Sequence, residues 1–337
     1  MLSNALGNGN YHGLLTEVSM DEHTQALQAH VPTWVADAKK VIESRREPDI
    51  KMGKQCKNPY DCPFMEYCSL EEPEYSVKKL PYPGKLVAQL EAKGYTDLRD
   101  VPADLLTKPV HVRMRRAVIS GQSELDPAAR EIVRALAYPR YYFDFESINF
   151  AVPIWKGAWS YQQVTFQWSC HVEHKDGSLT HSEFLDTSGQ FPARACAVQL
   201  LTALGESGPI VTYYSTFEKT RLKELAELYP DLAPGINAVI ERIFDLWPVM
   251  KEHYYHPSMN GSWSIKKVLP TIVPDLSYTA LGEVAEGGGA QRAYIELINP
   301  QVGTSRKEAL RGALSQYCGL DTLAMVRIVE VLSNAVT

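Results

Sequence analysis

The chain has 337 residues, of which 45% are hydrophobic and 22% charged, enough to bury a sizeable core and to form two domains with a smaller third element. Its formal net charge of −6 exerts no general pull on nucleic acid, so any such contact needs a local basic patch or bound metal. No apolar run reaches the length of a membrane span, and the opening M-L-S-N-A-L-G-N-G-N-Y lacks the regions of a secretory signal; the expectation is a cytoplasmic protein with no membrane partner.

Residues 1 to about 20 are rich in Gly, Asn and Ser and read as a loose terminus. From Asp21 to Arg45, interrupted at Pro32, Trp34, Val35, Ala38, Val41 and Ile42 fall on one helical face, which predicts a capped amphipathic helix. Cys56, Cys62 and Cys68 then recur every six residues with Pro59 and Pro63 between them. Prolines and short polar spacers suit a loop whose thiolates converge on an ion, as iron–sulfur or zinc, although three ligands are one short of a closed tetrahedral site. His12, His23 and His30 are candidates for the fourth, and three unligated thiols in a folded loop are the alternative. Cys170, Cys196 and Cys318 sit among apolar neighbours and read as small core residues.

Between Glu71 and Tyr138 the pattern is short helices and tight turns, with Leu86, Val87, Leu90, Leu98 and Val101 punctuated by Gly94 and Pro102. Arg113, Arg115 and Arg116 follow and could face phosphate. A strand begins at Arg140. Alternating stretches from Gln162 to His174 and from Leu179 to Leu185, joined at Lys175-Asp176-Gly177, read as a hairpin. A helix from Pro192 to about Gly205, the short apolar strand P-I-V-T-Y-Y and a helix capped by Ser215 or Thr216 come next. The crossover helix puts this fourth strand parallel to the first and beside it. Gly287-Gly288-Gly289 lacks the residues of a phosphate loop and reads as a flexible turn, a possible lid hinge, before a helix at Ala290.

The segment R-Y-Y-F-D-F-E-S, residues 140–147, carries the first chemistry. Strand side chains alternate, so Asp144 and Glu146 share one face, with Phe143 and Phe145 on the other. Paired carboxylates on an apolar strand repel each other unless a cation lies between them. Near the C-terminus, Tyr317 and Asp321 are one turn apart on a strongly apolar helix, so both project from one face.

These motifs resemble the DnaQ-like 3′-to-5′ exonucleases, in the branch with a tyrosine that includes ribonuclease D. Asp144 and Glu146 match the D-x-E motif of the first strand, Tyr317 and Asp321 the late Y-x-x-x-D, and S-W-S-I-K-K-V-L-P the segment between the second and third motifs. The second motif reads Tyr213-Tyr214-Ser215-Thr216-Phe217-Glu218, with glutamate where that superfamily has aspartate, and Asp245 is the rival acid. The phrases Y-F-D-F-E, F-E-K-T-R-L and Y-C-G-L-D-T-L-A-M also look like an uncharacterised bacterial domain family, often fused behind a RecB-like PD-(D/E)XK nuclease. The cysteine segment resembles the iron–sulfur tail of such nucleases, so the chain is similar to a member lacking its front half, with a separate RecB-like nuclease as a possible partner.

The resemblance implies a ribonuclease-H-like α/β domain over 139–337, with three antiparallel strands followed by parallel ones, behind a helical connector (76–138) and a cysteine-bearing tail remnant (1–75). It also implies two magnesium or manganese ions, about 3.5–4 Å apart, held by Asp144, Glu146, Glu218 and Asp321 at a phosphodiester. Tyr317 would orient the attacking water, Lys266 and Lys267 would contact the backbone of a single-stranded 3′ end, and Tyr214 and Trp263 would stack on a terminal base. A non-catalytic nucleic-acid-binding or scaffold module and a cysteine-governed metal or redox sensor are the alternatives.

Overall fold

A computed structural model describes residues 16–50, 52–70, 72–276, 284 and 287–334, so His12 lies outside the described residues. The N-terminal segment forms two helices, α1 (Asp21–Gln28) and α2 (Val31–Glu43), rather than one. Pro32 stands in the first turn of α2, where its missing N–H breaks no bond. Neither helix has a side-chain cap, since Met20 and His30 hold those positions without a side-chain bond. The expected apolar face exists but is uncovered: Trp34, Val35, Val41 and Ile42 are exposed and neither helix buries a residue.

Past the cysteine segment, which contains α3 (Met65–Ser69), the connector holds α4 (Leu86–Ala92), α5 (Pro109–Ser120), the two-residue strand β1 (Glu124–Leu125) and α6 (Ala128–Arg134). Where short helices were expected after Gly94, the chain forms a loop with a single 3₁₀ turn at Ala103–Leu105 before α5. The connector is not a separate body. Leu90, Val101, Met114, Ala117 and Val133 share one buried cluster with the C-terminal helix, through Met325, Val326 and Val329. Of the three arginines expected to face phosphate, Arg113 is buried beside Asp126 and Arg115 donates to the Val101 carbonyl, while the exposed Arg116 pairs with Glu124.

The mixed α/β core follows. The strands β2 (Arg140–Ile148), β3 (Val164–Glu173) and β4 (Leu179–Leu185) form an antiparallel meander. The helix α7 (Ala193–Ala203) crosses over to β5 (Ile210–Thr212), parallel to β2. Next come α8 (Thr216–Leu228), α9 (Ala233–Glu241), β6 (Ile243–Asp245) parallel to β5, and α10 (Leu246–His253). The five-stranded sheet therefore runs β4-β3-β2-β5-β6, with β2 at its centre. A short β7 (Tyr254–Tyr255) pairs with β1 in a separate ribbon. The chain ends in α11 (Ile265–Ile272), α12 (Gly287–Ile298) and the long α13 (Thr304–Asn334).

Alternation along β2 divides the core. Tyr141, Phe143 and Phe145 join the cluster containing α7, α8 and α9, whereas Tyr142 joins the cluster of α5, α6, α10 and the end of α13. The approach of β5 to β2 requires a glycine: Gly208 has φ +89°, and a Cβ there would lie 2.1 Å from the Pro139 carbonyl oxygen. Gly287-Gly288-Gly289 is the first turn of α12, not a turn ahead of it. Among the described residues no helix is long and apolar enough to cross a membrane.

Candidate metal centre

Each acidic side chain reaches the same place by a different local rule. Asp144 and Glu146 project together from β2, and directly after Glu146 the register with β3 shifts by one residue, Phe166 of β3 being left without an opposite number. Tyr317 and Asp321 project from the middle of α13. A polar bracket holds that helix against the sheet: Thr322 bonds the Ser169 hydroxyl and His171 Nδ1, each at 2.8 Å, and Gln167 donates to the Leu314 carbonyl at 2.9 Å. Glu218 sits in the first turn of α8, a helix end that favours negative charge.

One oxygen from each of Asp144, Glu146 and Asp321 lies within 4.8 Å of the others, and no other group of three His, Cys, Asp or Glu does so among the described residues. Glu218 stands beside this group, hydrogen-bonded to Asp144, with its Oε2 buried and unpartnered. Two carboxyl groups can share a hydrogen bond only if one keeps a proton. Burial, and then the charges of Asp321, Glu218 and Glu146, push the Asp144 carboxyl well above the usual range. Burial and Asp321 push Glu146 up to about 8 against the opposing pull of Lys266, and burial pushes Glu218 up to about 7. Burial and the neighbouring acids also raise the Tyr317 hydroxyl, so it stays protonated. Lys266 donates to that hydroxyl at 3.3 Å, with its ammonium 5.0 Å from the ring centre.

The donor set fits a hard divalent cation. All of its atoms are carboxylate oxygens, the Glu218 oxygen has no other partner, and a cation removes the repulsion that otherwise demands protons. Asp144, Glu146 and Asp321, but not Glu218, line a cavity of about 370 Å³ together with Tyr317, Lys266 and Gln291. Gln291 donates to the Ser147 carbonyl at 3.1 Å and the Ser147 hydroxyl donates to Gln163 at 2.8 Å, so the wall is braced. Gln163, Gln291 and Thr322 were not foreseeable as members of the site, although Thr322 directly follows Asp321.

The other expected site residues lie elsewhere. Asp245 accepts the backbone N–H groups of Tyr214, Ser215 and Trp247, at 2.9 to 3.0 Å, and is committed to joining β5 to α10. Lys267 is exposed and absent from the cavity wall. Trp263 is 4% exposed and donates its indole N–H to the Tyr254 carbonyl, so it belongs to the core and reaches a surface only at the rim of a neighbouring cavity. Tyr214 is 55% exposed. The thiols of Cys56, Cys62 and Cys68, alone or with His23 or His30, do not come within the 4.8 Å of one another that a single ion would need. Cys170, Cys196 and Cys318 are buried as expected.

Residues 141–264 match a family described as "Domain of unknown function (DUF2779)". The chain is similar to an uncharacterized protein of Ureaplasma parvum, 28% identical over 45% of this chain and 24% of that protein. It is also similar to an uncharacterized protein of Mycoplasma pneumoniae, 26% identical over 62% of this chain and 34% of that protein. The chain thus spans a quarter to a third of the length of these curated relatives. No solved structure matches.

Proposed function

We propose that the chain is a divalent-metal-dependent 3′-to-5′ exonuclease with a ribonuclease-H-like core, acting on single-stranded nucleic acid. The observation that carries this reading is the meeting of Asp144, Glu146 and Asp321 within 4.8 Å, although they come from the central strand and the last helix. The strand order, with an antiparallel meander followed by two parallel strands, supports the core assignment. Asp144, Glu146, Asp321 and Glu218 would hold magnesium or manganese, which when bound supplies water activation and neutralises the charge of a phosphodiester.

The protein's own groups do the rest. The protonated Tyr317 hydroxyl is a donor at the edge of the acids, suited to orienting the attacking water, and Lys266 fixes it from the other side. Lys266 also brings positive charge to a cavity that would otherwise repel phosphate. Manganese-dependent release of mononucleotides from a 3′-end-labelled oligonucleotide, lost on Asp144→Ala, is the expected result; unchanged release by that variant would sink the assignment. A non-catalytic nucleic-acid-binding module is the second reading, favoured by Glu218 lying outside the tight group of three. It expects binding without cleavage at any divalent metal.

A further inference from the structure

Beside the acidic cavity lies a second one of about 500 Å³, and Tyr213 and Ile265 line both. The lining of the two differs in kind. The first gathers carboxylates, while the second has no carboxylate in its wall, which includes Tyr82, Tyr214, Trp247 and Lys251 and the edge of the otherwise buried Trp263. Tyr82 comes from the connector and Tyr214 from the end of β5, so the cavity exists only because the connector packs against the core.

The two tyrosines are held out to solvent. Tyr82 is 64% and Tyr214 55% exposed, and both have left-handed backbones, at φ +46° and +70°, which bulky side chains rarely adopt. Each is pinned. Lys108 donates to the Tyr82 carbonyl at 2.6 Å, and Asp245 accepts the Tyr214 N–H at 2.9 Å. Trp247 meets Tyr214 edge to face at 5.3 Å. The Lys251 ammonium lies 3.5 Å from the centre of the Tyr82 ring and 4.8 Å from that of Trp247.

Exposed aromatic rings, each with one side toward solvent, beside one cation and no acid suit a flat, electron-rich ring linked to a phosphate. We propose that this second cavity binds an unpaired nucleobase of a single-stranded nucleic acid, next to the nucleotide whose phosphate lies at the acidic centre. A base within a duplex is covered on both faces by its neighbours and cannot enter, so the cavity selects single strands, and stacking makes the selection tolerant of sequence. The position of the phosphate rests on the nuclease reading, whereas the base subsite itself does not.

Binding without turnover separates the two. Fluorescence anisotropy in calcium buffer should show the wild-type chain binding labelled oligothymidylate roughly tenfold or more tightly than an abasic strand of equal length, as base–aromatic stacking implies. Tyr82→Ala and Tyr214→Ala together should remove that preference, whereas Tyr82→Phe should keep it; melting curves would confirm that each variant is folded. Equal affinity for the two strands, an unaffected double variant, or no saturable binding would overturn the proposal. Manganese-dependent hydrolysis of bis(p-nitrophenyl) phosphate, which carries no base, tests the acidic centre separately, and its absence would leave the binding result standing.

Discussion

Two regions of this chain carry metal-ligand chemistry in their sequence, and the structure treats them differently. Asp144, Glu146 and Asp321 sit on a central strand whose remaining side chains are buried and on a long helix with one buried face, so their meeting point is set by the packing of the whole domain. Cys56, Cys62 and Cys68 sit on a 3₁₀ turn, a loop and one short helix that bury no residue, and their thiols do not all lie within 4.8 Å of one another. Regular spacing along a chain says little about convergence unless packed elements hold the residues. Groups placed on rigid elements are preorganised; groups on an unburied loop are not.

The comparison breaks most decisively at the acids. Asp321→Asn is expected to lower manganese-dependent cleavage by more than about 100-fold, since even groups that merely support metal ligands are worth 10- to 100-fold; oligonucleotide digestion reads this, and retained activity would remove α13 from the centre. A second prediction concerns pH. Glu146 and Glu218 have folded pKa values raised above the usual glutamate 4.5, to about 8 and about 7. Their neutral forms therefore favour the folded state, and this contribution, full below about pH 4.5, is lost as pH rises toward 8. In chelator, the melting temperature relative to a Glu146→Gln variant should fall across that window, and manganese should restore most at its upper end; a flat difference would contradict the shift.

Smaller effects sharpen the contrast. Thr322→Val leaves Ser169 and His171 without their shared partner and should cost about 1–3 kcal/mol, read as a lower urea midpoint. Cys62→Ser should change neither melting temperature nor cleavage measurably, and purified protein should carry no stoichiometric iron or zinc. An iron-bearing preparation that loses its metal on this substitution would erase the difference between the regions.

Much of the centre was legible because two periodicities govern it. A period of two puts Asp144 and Glu146 on one face of β2, and a spacing of four puts Tyr317 and Asp321 on one face of α13. The meander and the parallel return of β5 were readable from alternation and from the helical crossover. What escaped notice was short or depended on partners. β6 has three residues and the β1–β7 ribbon two per strand, too few to show a period. The arginines of α5 looked available for phosphate until Asp126, Glu124 and the Val101 carbonyl were seen beside them. Trp263 looked like a stacking platform, but its burial depends on Tyr255 and the connector, which are remote or unremarkable in sequence. The apolar stripe on α2 is legible from its period, yet periodicity alone does not reveal that its neighbours leave it bare.

The bulk of α13 has a mechanical consequence. The same rod that presents Asp321 continues to Ile328, Val329 and Leu332, which are wedged among the connector helices. From Asp321 to Ile328 is about 10 Å along the axis, and sliding the rod by a single residue would swing the carboxylate through about 100°. Alignment of the acids is therefore maintained from a distance, and disturbing the connector should throw the centre out of true without touching any of its ligands.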